Sequence, residues 1–184
     1  MEEQFDVLNQ FYQWTGEAAT RSECHTNGLY HRGVVVFILN HTGNKVLLQK
    51  RSADKKLWPN LWDVSAGGHV LTGEIGYEAA LRELREELGI TAEPHDLLLI
   101  GCNTSQNIFP GINDFHINEY YVLFRDLDPV TLELQTEEVS DVAWVSSDEL
   151  QQRLDHDKDG LVKKDDCFET LLRFLSHHEA KNNL

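Results

Sequence analysis

The sequence predicts a mixed α/β (α+β) fold, and three observations carry that reading. Short β-branched and apolar runs bounded by turn-prone clusters predict strands over residues 33–39, 45–50, 97–101, 117–124 and 139–145. Apolar side chains at spacings of three and four predict helices over 75–88, 147–154 and 167–177. The two signals are mixed along a chain with no internal repeat, low-complexity tract or Pro/Gly/Ser linker, so helices layered on a sheet are expected. A length of 184 residues suits one buried core. Residues 1–184 therefore read as a single domain, with 1–30 as an N-terminal extension and 147–184 as a C-terminal helical segment.

The first two strands read as a hairpin, because the cluster at 40–44, with Gly43, separates two apolar runs. The helix over 75–88 has the clearest pattern. Tyr77, Leu81, Leu84 and Leu88 recur at spacings of four, three and four, which places one apolar stripe toward the core. Thr72 and Glu74 stand where a polar cap is expected, and Gly89 follows the last turn as a C-terminal glycine does. The terminal segment 168–175 reads as a short amphipathic packing helix.

Sixteen Lys and Arg against 31 Asp and Glu give a formal charge of -15, which opposes binding to nucleic-acid polymers and anionic membranes. The longest unbroken apolar run covers residues 34–39, far short of the roughly 20 residues that span a bilayer. The N-terminal MEEQFDVLNQ is acidic and has no secretory pattern, so a cytoplasmic location is expected. Cys24, Cys102 and Cys167 are widely spaced without a CxxC pair, which predicts reduced thiols rather than a disulfide framework or a cysteine zinc site.

Glu83, Glu86 and Glu87 lie three and four residues apart, so a helix is expected to present all three on one face, away from the leucines. Two carboxylates about 6 Å apart repel by roughly 3 kcal/mol at an effective dielectric of about 20. A divalent cation converts that repulsion into coordination, and hard oxygen ligands suit Mg²⁺ or Mn²⁺. The competing reading is a solvated acidic face paired with Arg82 and Arg85.

From Gly67 the chain runs GGHVLTGEIGYEAALRELREELGI. Gly68, Glu74, Arg82, Glu83, Leu84, Glu86, Glu87, Gly89 and Ile90 fall at the spacings of the Nudix box, and the chain thus resembles the Nudix superfamily. The resemblance implies an α/β/α sandwich with a mixed β-sheet, and hydrolysis of a small-molecule diphosphate: a nucleoside diphosphate derivative or a related organic diphosphate. It also implies that Glu83, Glu86 and Glu87 bind Mg²⁺ with help from the Gly67 carbonyl. Glu83 is then the favoured general base, with Arg82 steering the glutamates.

A longer stretch, HRGVVVFILN followed by VLLQKRSADKKLWPNLWDVSAGGH, resembles the isopentenyl-diphosphate isomerase branch of that superfamily. This likeness implies that Arg51 and Lys55 hold a substrate diphosphate, and the local cluster Lys50, Arg51, Lys55 and Lys56 supports it. It further implies a second metal set, His25, His31, His69 and Glu119, for Zn²⁺ or Mn²⁺. Where the isomerases carry their catalytic cysteine this chain has Ser65, Ala66 and Gly67. Moving a proton on and off an alkene needs two opposed groups, so a hydrolase is expected over an isomerase. A catalytically silent nucleotide-binding module is the third reading, and the full set Glu74, Glu83, Glu86 and Glu87 disfavours it.

Asp155, Asp157, Asp159, Gly160 and Asp166 are spaced like an EF-hand loop for Ca²⁺, but Lys163 and an Asp at the twelfth position depart from it, and an acidic surface loop is the alternative. Trp58 and Trp62 either flank a substrate pocket or pack in a loop. Both monomer and homodimer stay open.

Overall fold

A computed structural model of the chain describes residues 2–156, 160–162 and 165–182. Seven strands form the main sheet: β3 (His31–Leu39), β4 (Lys45–Arg51), β5 (Trp62–Asp63), β6 (Ala66–His69), β7 (Leu97–Phe109), β8 (Ile112–Phe124) and β9 (Val139–Ser146). Before them, β1 (Gln4–Leu8) and β2 (Trp14–Thr20) make a separate antiparallel pair, followed by α1 (Arg21–Asn27). The helices α2 (Gly76–Leu88), α3 (Ser147–His156) and α4 (Asp165–Asn182) complete the fold. The sheet is mixed, because β3 and β8 run parallel while the other pairs are antiparallel.

β3 is the central strand, and its sequence shows why. Val34, Val36 and Ile38 alternate with Val35, Phe37 and Leu39, and every one of the six is buried. Successive side chains of a strand point to opposite faces, so a continuous apolar run means cover on both sides. The first trio packs with Ala80, Leu84 and Leu88 of α2, and the second with Leu150, Phe168 and Leu171 of α3 and α4. This is the α/β/α layering the sequence predicts. One edge of β3 is shared, with Gly33–Val36 pairing to β6 and Ile38 and Leu39 pairing to β4. The sheet forks there.

The expected extension at 1–30 is folded against that sheet, with Phe5 wholly buried and Gly28 closing α1 at φ 64°. β7 and β8 run 13 residues each, longer than the predicted 97–101 and 117–124, because their polar distal halves pair by backbone and carry no apolar signal. The expected cap of α2 is corrected. Glu74 accepts from the Leu71 amide at 3.0 Å and from Arg82, while Glu78 takes the Ile75 amide at 3.2 Å. Gly89 does end α2, at φ 67°. Tyr77 of the predicted stripe is exposed, because the buried side of α2 passes through Gly76, Ala79, Ala80, Leu84 and Leu88.

Cys24 and Cys167 are buried and Cys102 is exposed, all three as free thiols. Asp157, Asp159 and Lys163 of the EF-hand-like run lie outside the described residues, so that Ca²⁺ reading falls there too. Among the described residues no helix is long and apolar enough to cross a membrane.

Ser65 is fully buried beside the fork, where its Oγ accepts from the Ile38 amide at 2.7 Å and donates to the Leu47 carbonyl at 2.5 Å. It ties β3 to β4 where they share only two paired positions. Ser65→Ala should cost about 1–3 kcal/mol by leaving those backbone groups unsatisfied. Thermal melting measures this, and a variant as stable as the parent would remove the staple from the account.

Candidate active site

The carboxylates are placed by α2 lying across β6. Gly76, Ala79, Ala80, Glu83, Leu84, Glu87 and Leu88 make one continuous buried band along α2. Residues three and four apart on a helix share a side, so Glu83 and Glu87 flank the leucines instead of facing away from them. This corrects the expectation that all three glutamates share one face away from the leucines. Glu83 and Glu87 are 9% and 6% exposed, and only Glu86, with a side chain 52% exposed, looks outward.

The glycines of β6 make room for this band. A Cβ on Gly68 would stand 2.2 Å from Glu83 Oε1, and one on Gly67 would stand 2.7 Å from the Val34 carbonyl oxygen. The Gly67 amide donates to Glu87 Oε2 at 3.1 Å. Arg82 holds the cluster together. Its Nη1 donates to Glu83 at 2.7 Å and Glu86 at 3.2 Å, its Nε and Nη2 both donate to Glu74 at 3.0 Å, and Nη2 also reaches the His69 carbonyl at 2.8 Å.

Burial raises the proton affinity of Glu83, against the opposing charge of Arg82. Glu87 is pushed up to about 8, by burial first and by the charge of Glu83 second, against the hydrogen bond from Gly67. Burial works against the charge on Arg82, but its hydrogen bonds to Glu74 and the charge of Glu83 hold it above the ordinary arginine range. One guanidinium thus faces three carboxylates while a fourth, Glu87, is buried beyond its reach. The site is short of positive charge.

These groups open on a cleft of about 900 Å³ that Arg51, Lys55 and Trp58 also line. Arg51 is occupied within the protein: Nε and Nη2 donate to the Leu57 carbonyl at 3.2 and 3.1 Å, and Nη1 pairs with buried Asp63 at 3.0 Å. Its role in this structure is to shape the 52–61 loop. Lys55 pairs with Glu138 across the cleft. Trp58, at φ 51°, meets Phe109 edge to face at 5.4 Å, whereas Trp62 packs against the core below α4.

A second cluster lines the same cleft. His25 from α1, His31 from β3, His69 from β6 and Asp114 and His116 from β8 bring one potential ligand atom each to within 4.8 Å of one another. His25 and His116 Nε2 lie 3.2 and 2.8 Å from Asp114 Oδ1, whereas Nε2 of His31 and of His69 is buried without a hydrogen-bond partner among the described residues. His31 Nδ1 lies 2.8 Å from the Leu29 carbonyl, which fixes its proton there and turns a lone pair on Nε2 toward the cluster. Burial lowers the proton affinity of His25 and His69 and brings His31 down to about 3. Buried polar atoms without partners are rare in native proteins, and imidazoles grouped with one carboxylate suit a transition-metal ion.

Of the predicted second set, His25, His31 and His69 meet, and Glu119 does not join them. Strand alternation puts Glu119 on the opposite face of β8 from Asp114 and His116, where Tyr121 donates to it at 2.5 Å and it lies against Gly76. Asp114 and His116 were missed because the predicted strand began at 117. Their two-residue spacing, with His116 directly across from His31, was the available signal.

With the fold and both clusters established, comparison with known proteins gives the class. The NUDIX domain family matches residues 29–164, and the chain belongs to that family. Nudix hydrolase 3 of Arabidopsis thaliana is 40% identical over 173 residues, which cover 89% of this chain but only 22% of that much longer protein. An uncharacterised Nudix hydrolase of Listeria innocua is 39% identical over 149 residues, covering 81% of this chain and 83% of its own. The crystal structure of DR0079 from Deinococcus radiodurans shares the fold at a TM-score of 0.71 and 23% identity, over 93% of this chain and 98% of that one.

The raised proton affinity of Glu87 has a consequence for the metal-free protein. Between the ordinary carboxylate range near 4.5 and the native value of about 8, the folded state binds the extra proton, so stability falls as pH rises through that window. Glu87→Gln should flatten the decline. Melting temperatures in chelator from about pH 5 to about pH 9 check this, and an unchanged slope in the variant would exclude Glu87 as its source.

Proposed function

We propose that the chain is a Mg²⁺-dependent hydrolase that cleaves the phosphoric anhydride bond of a small organic diphosphate, such as a nucleoside diphosphate derivative. The observation that carries this reading is the placing of Glu83 and Glu86 on one arginine, with Glu87 held beside them by the Gly67 amide, at the wall of a single cleft, two of the three carboxylates being buried. Such a site gains a strong counterion by binding a hard divalent cation. Glu83, Glu86 and Glu87, with the Gly67 carbonyl, are the residues we assign to it. When bound, the metal neutralises the diphosphate and lowers the pKa of a coordinated water.

The chain's own groups supply the rest. Arg82 fixes Glu83 and Glu86 relative to each other, which leaves little reorganisation for the reaction. Glu83, made more basic by burial, is the proton acceptor we favour. Lys55, paired among the described residues only with Glu138 on the cleft wall, is the cation we assign to substrate phosphate, whereas Arg51 is committed to both buried Asp63 and the Leu57 carbonyl. Ser65, at the position compared with the isomerase cysteine, is spent on backbone groups of β3 and β4, which supports hydrolysis over isomerisation.

We assign the histidine cluster to a second ion of the Zn²⁺ or Mn²⁺ type, held by His25, His31, His69, Asp114 and His116. A charge of -15 supports a small-molecule partner over nucleic acid or membrane, and three free thiols support a reducing compartment such as the cytoplasm.

Purified protein with Mg²⁺ should release phosphate or a monophosphate from part of a broad diphosphate panel, and chelator should abolish the release. Glu87→Gln should lower activity at least about 100-fold while the fold persists. A parent inert across the panel with Mg²⁺ and Mn²⁺ sinks the hydrolase reading. Separately, Co²⁺ should enter the histidine cluster and give visible absorption bands that His31→Ala removes; identical spectra from both proteins would place the ion elsewhere.

A further inference from the structure

We propose that Gln49, which lies outside the Nudix motif, is a positioning residue for Glu87 and sets the affinity of the carboxylate centre for its divalent cation. The inference rests on the reading of Glu83, Glu86 and Glu87 as that centre. Gln49 is on β4, 4% exposed, and its Nε2 donates to Glu87 Oε2 at 3.2 Å. The same oxygen accepts the Gly67 amide at 3.1 Å.

Two donors on one oxygen fix the carboxylate plane of an otherwise flexible side chain. Oε1 is left outside that pair of bonds. The chemistry of the donors matters as much as their geometry. Glu83 is gripped by a guanidinium, whose charge competes with a metal, whereas both hydrogen bonds to Glu87 come from neutral amides. Amides orient a carboxylate and leave its charge for the cation. The platform is stiff, since Gln49 is paired to Asp63 of β5 on one side and Val142 of β9 on the other.

Isothermal titration with Mg²⁺ alone tests this, because the imidazole cluster disfavours that ion. Gln49→Met keeps the side-chain length and removes the donor. Its Mg²⁺ affinity should fall by about 10- to 100-fold, and activity lost at low Mg²⁺ should recover as Mg²⁺ is raised. In a Glu87→Gln background the same substitution should weaken Mg²⁺ binding no further, because the interaction it removes is already altered. Gln49→Asn, which keeps a polar amide one methylene shorter, serves the same titration if the methionine variant does not fold. Parent-like Mg²⁺ affinity in the folded variant, or independent addition of the two effects, overturns the proposal. A parent that takes up no Mg²⁺ overturns instead the reading of the carboxylates as a metal centre.

Discussion

The hydrogen bonds between Arg82 and its carboxylates are the constraint from which the rest of the site follows. One guanidinium binds Glu74, Glu83 and Glu86 and also takes the His69 carbonyl, so a single side chain joins the loop before α2, α2 itself and β6. Breaking such a buried network by removing one member strands the others, which costs far more than its net stabilisation. Yet the network is not neutral. Three carboxylates share one guanidinium, and that excess of acidic groups distinguishes this helix from an ordinary salt-bridged surface.

β6 is the second constraint. Within four residues it gives an amide to Glu87, clearance to Glu83, an imidazole to the histidine cluster and a carbonyl to Arg82. A side chain at 68 would occupy the space that Glu83 uses and one at 67 would strike the Val34 carbonyl of β3, so both glycines are required by close approach. The two clusters are therefore built on one short strand at the fork of the sheet. Any shift of β6 acts on both.

Much of the fold was legible because β3 and α2 carry strong periodic signals. Alternating buried side chains along β3 forced a layer on each face, and the leucine spacing with Gly89 bounded α2 at its C-terminal end. β5 and β6, at two and four residues, are too short for any period to register. Within the site, the identities of Glu83, Glu86, Glu87 and Arg82 were readable from spacing, but the burial of two glutamates was not. A helix stripe defined by leucines has no sharp edge, and only packing against glycines shows how far round the helix it extends. Gln49 was hidden for a related reason, since a glutamine in an apolar strand announces a buried partner without saying which.

The first strand adds one last consequence. Phe5 stacks on His31 and His69, with ring centroids 5.0 and 4.6 Å away. That ring covers one side of both imidazoles. Trimming the chain ahead of Val7 would strip that cover from His31 and His69, so a segment distant in sequence from the acidic helix shields two of the histidine rings.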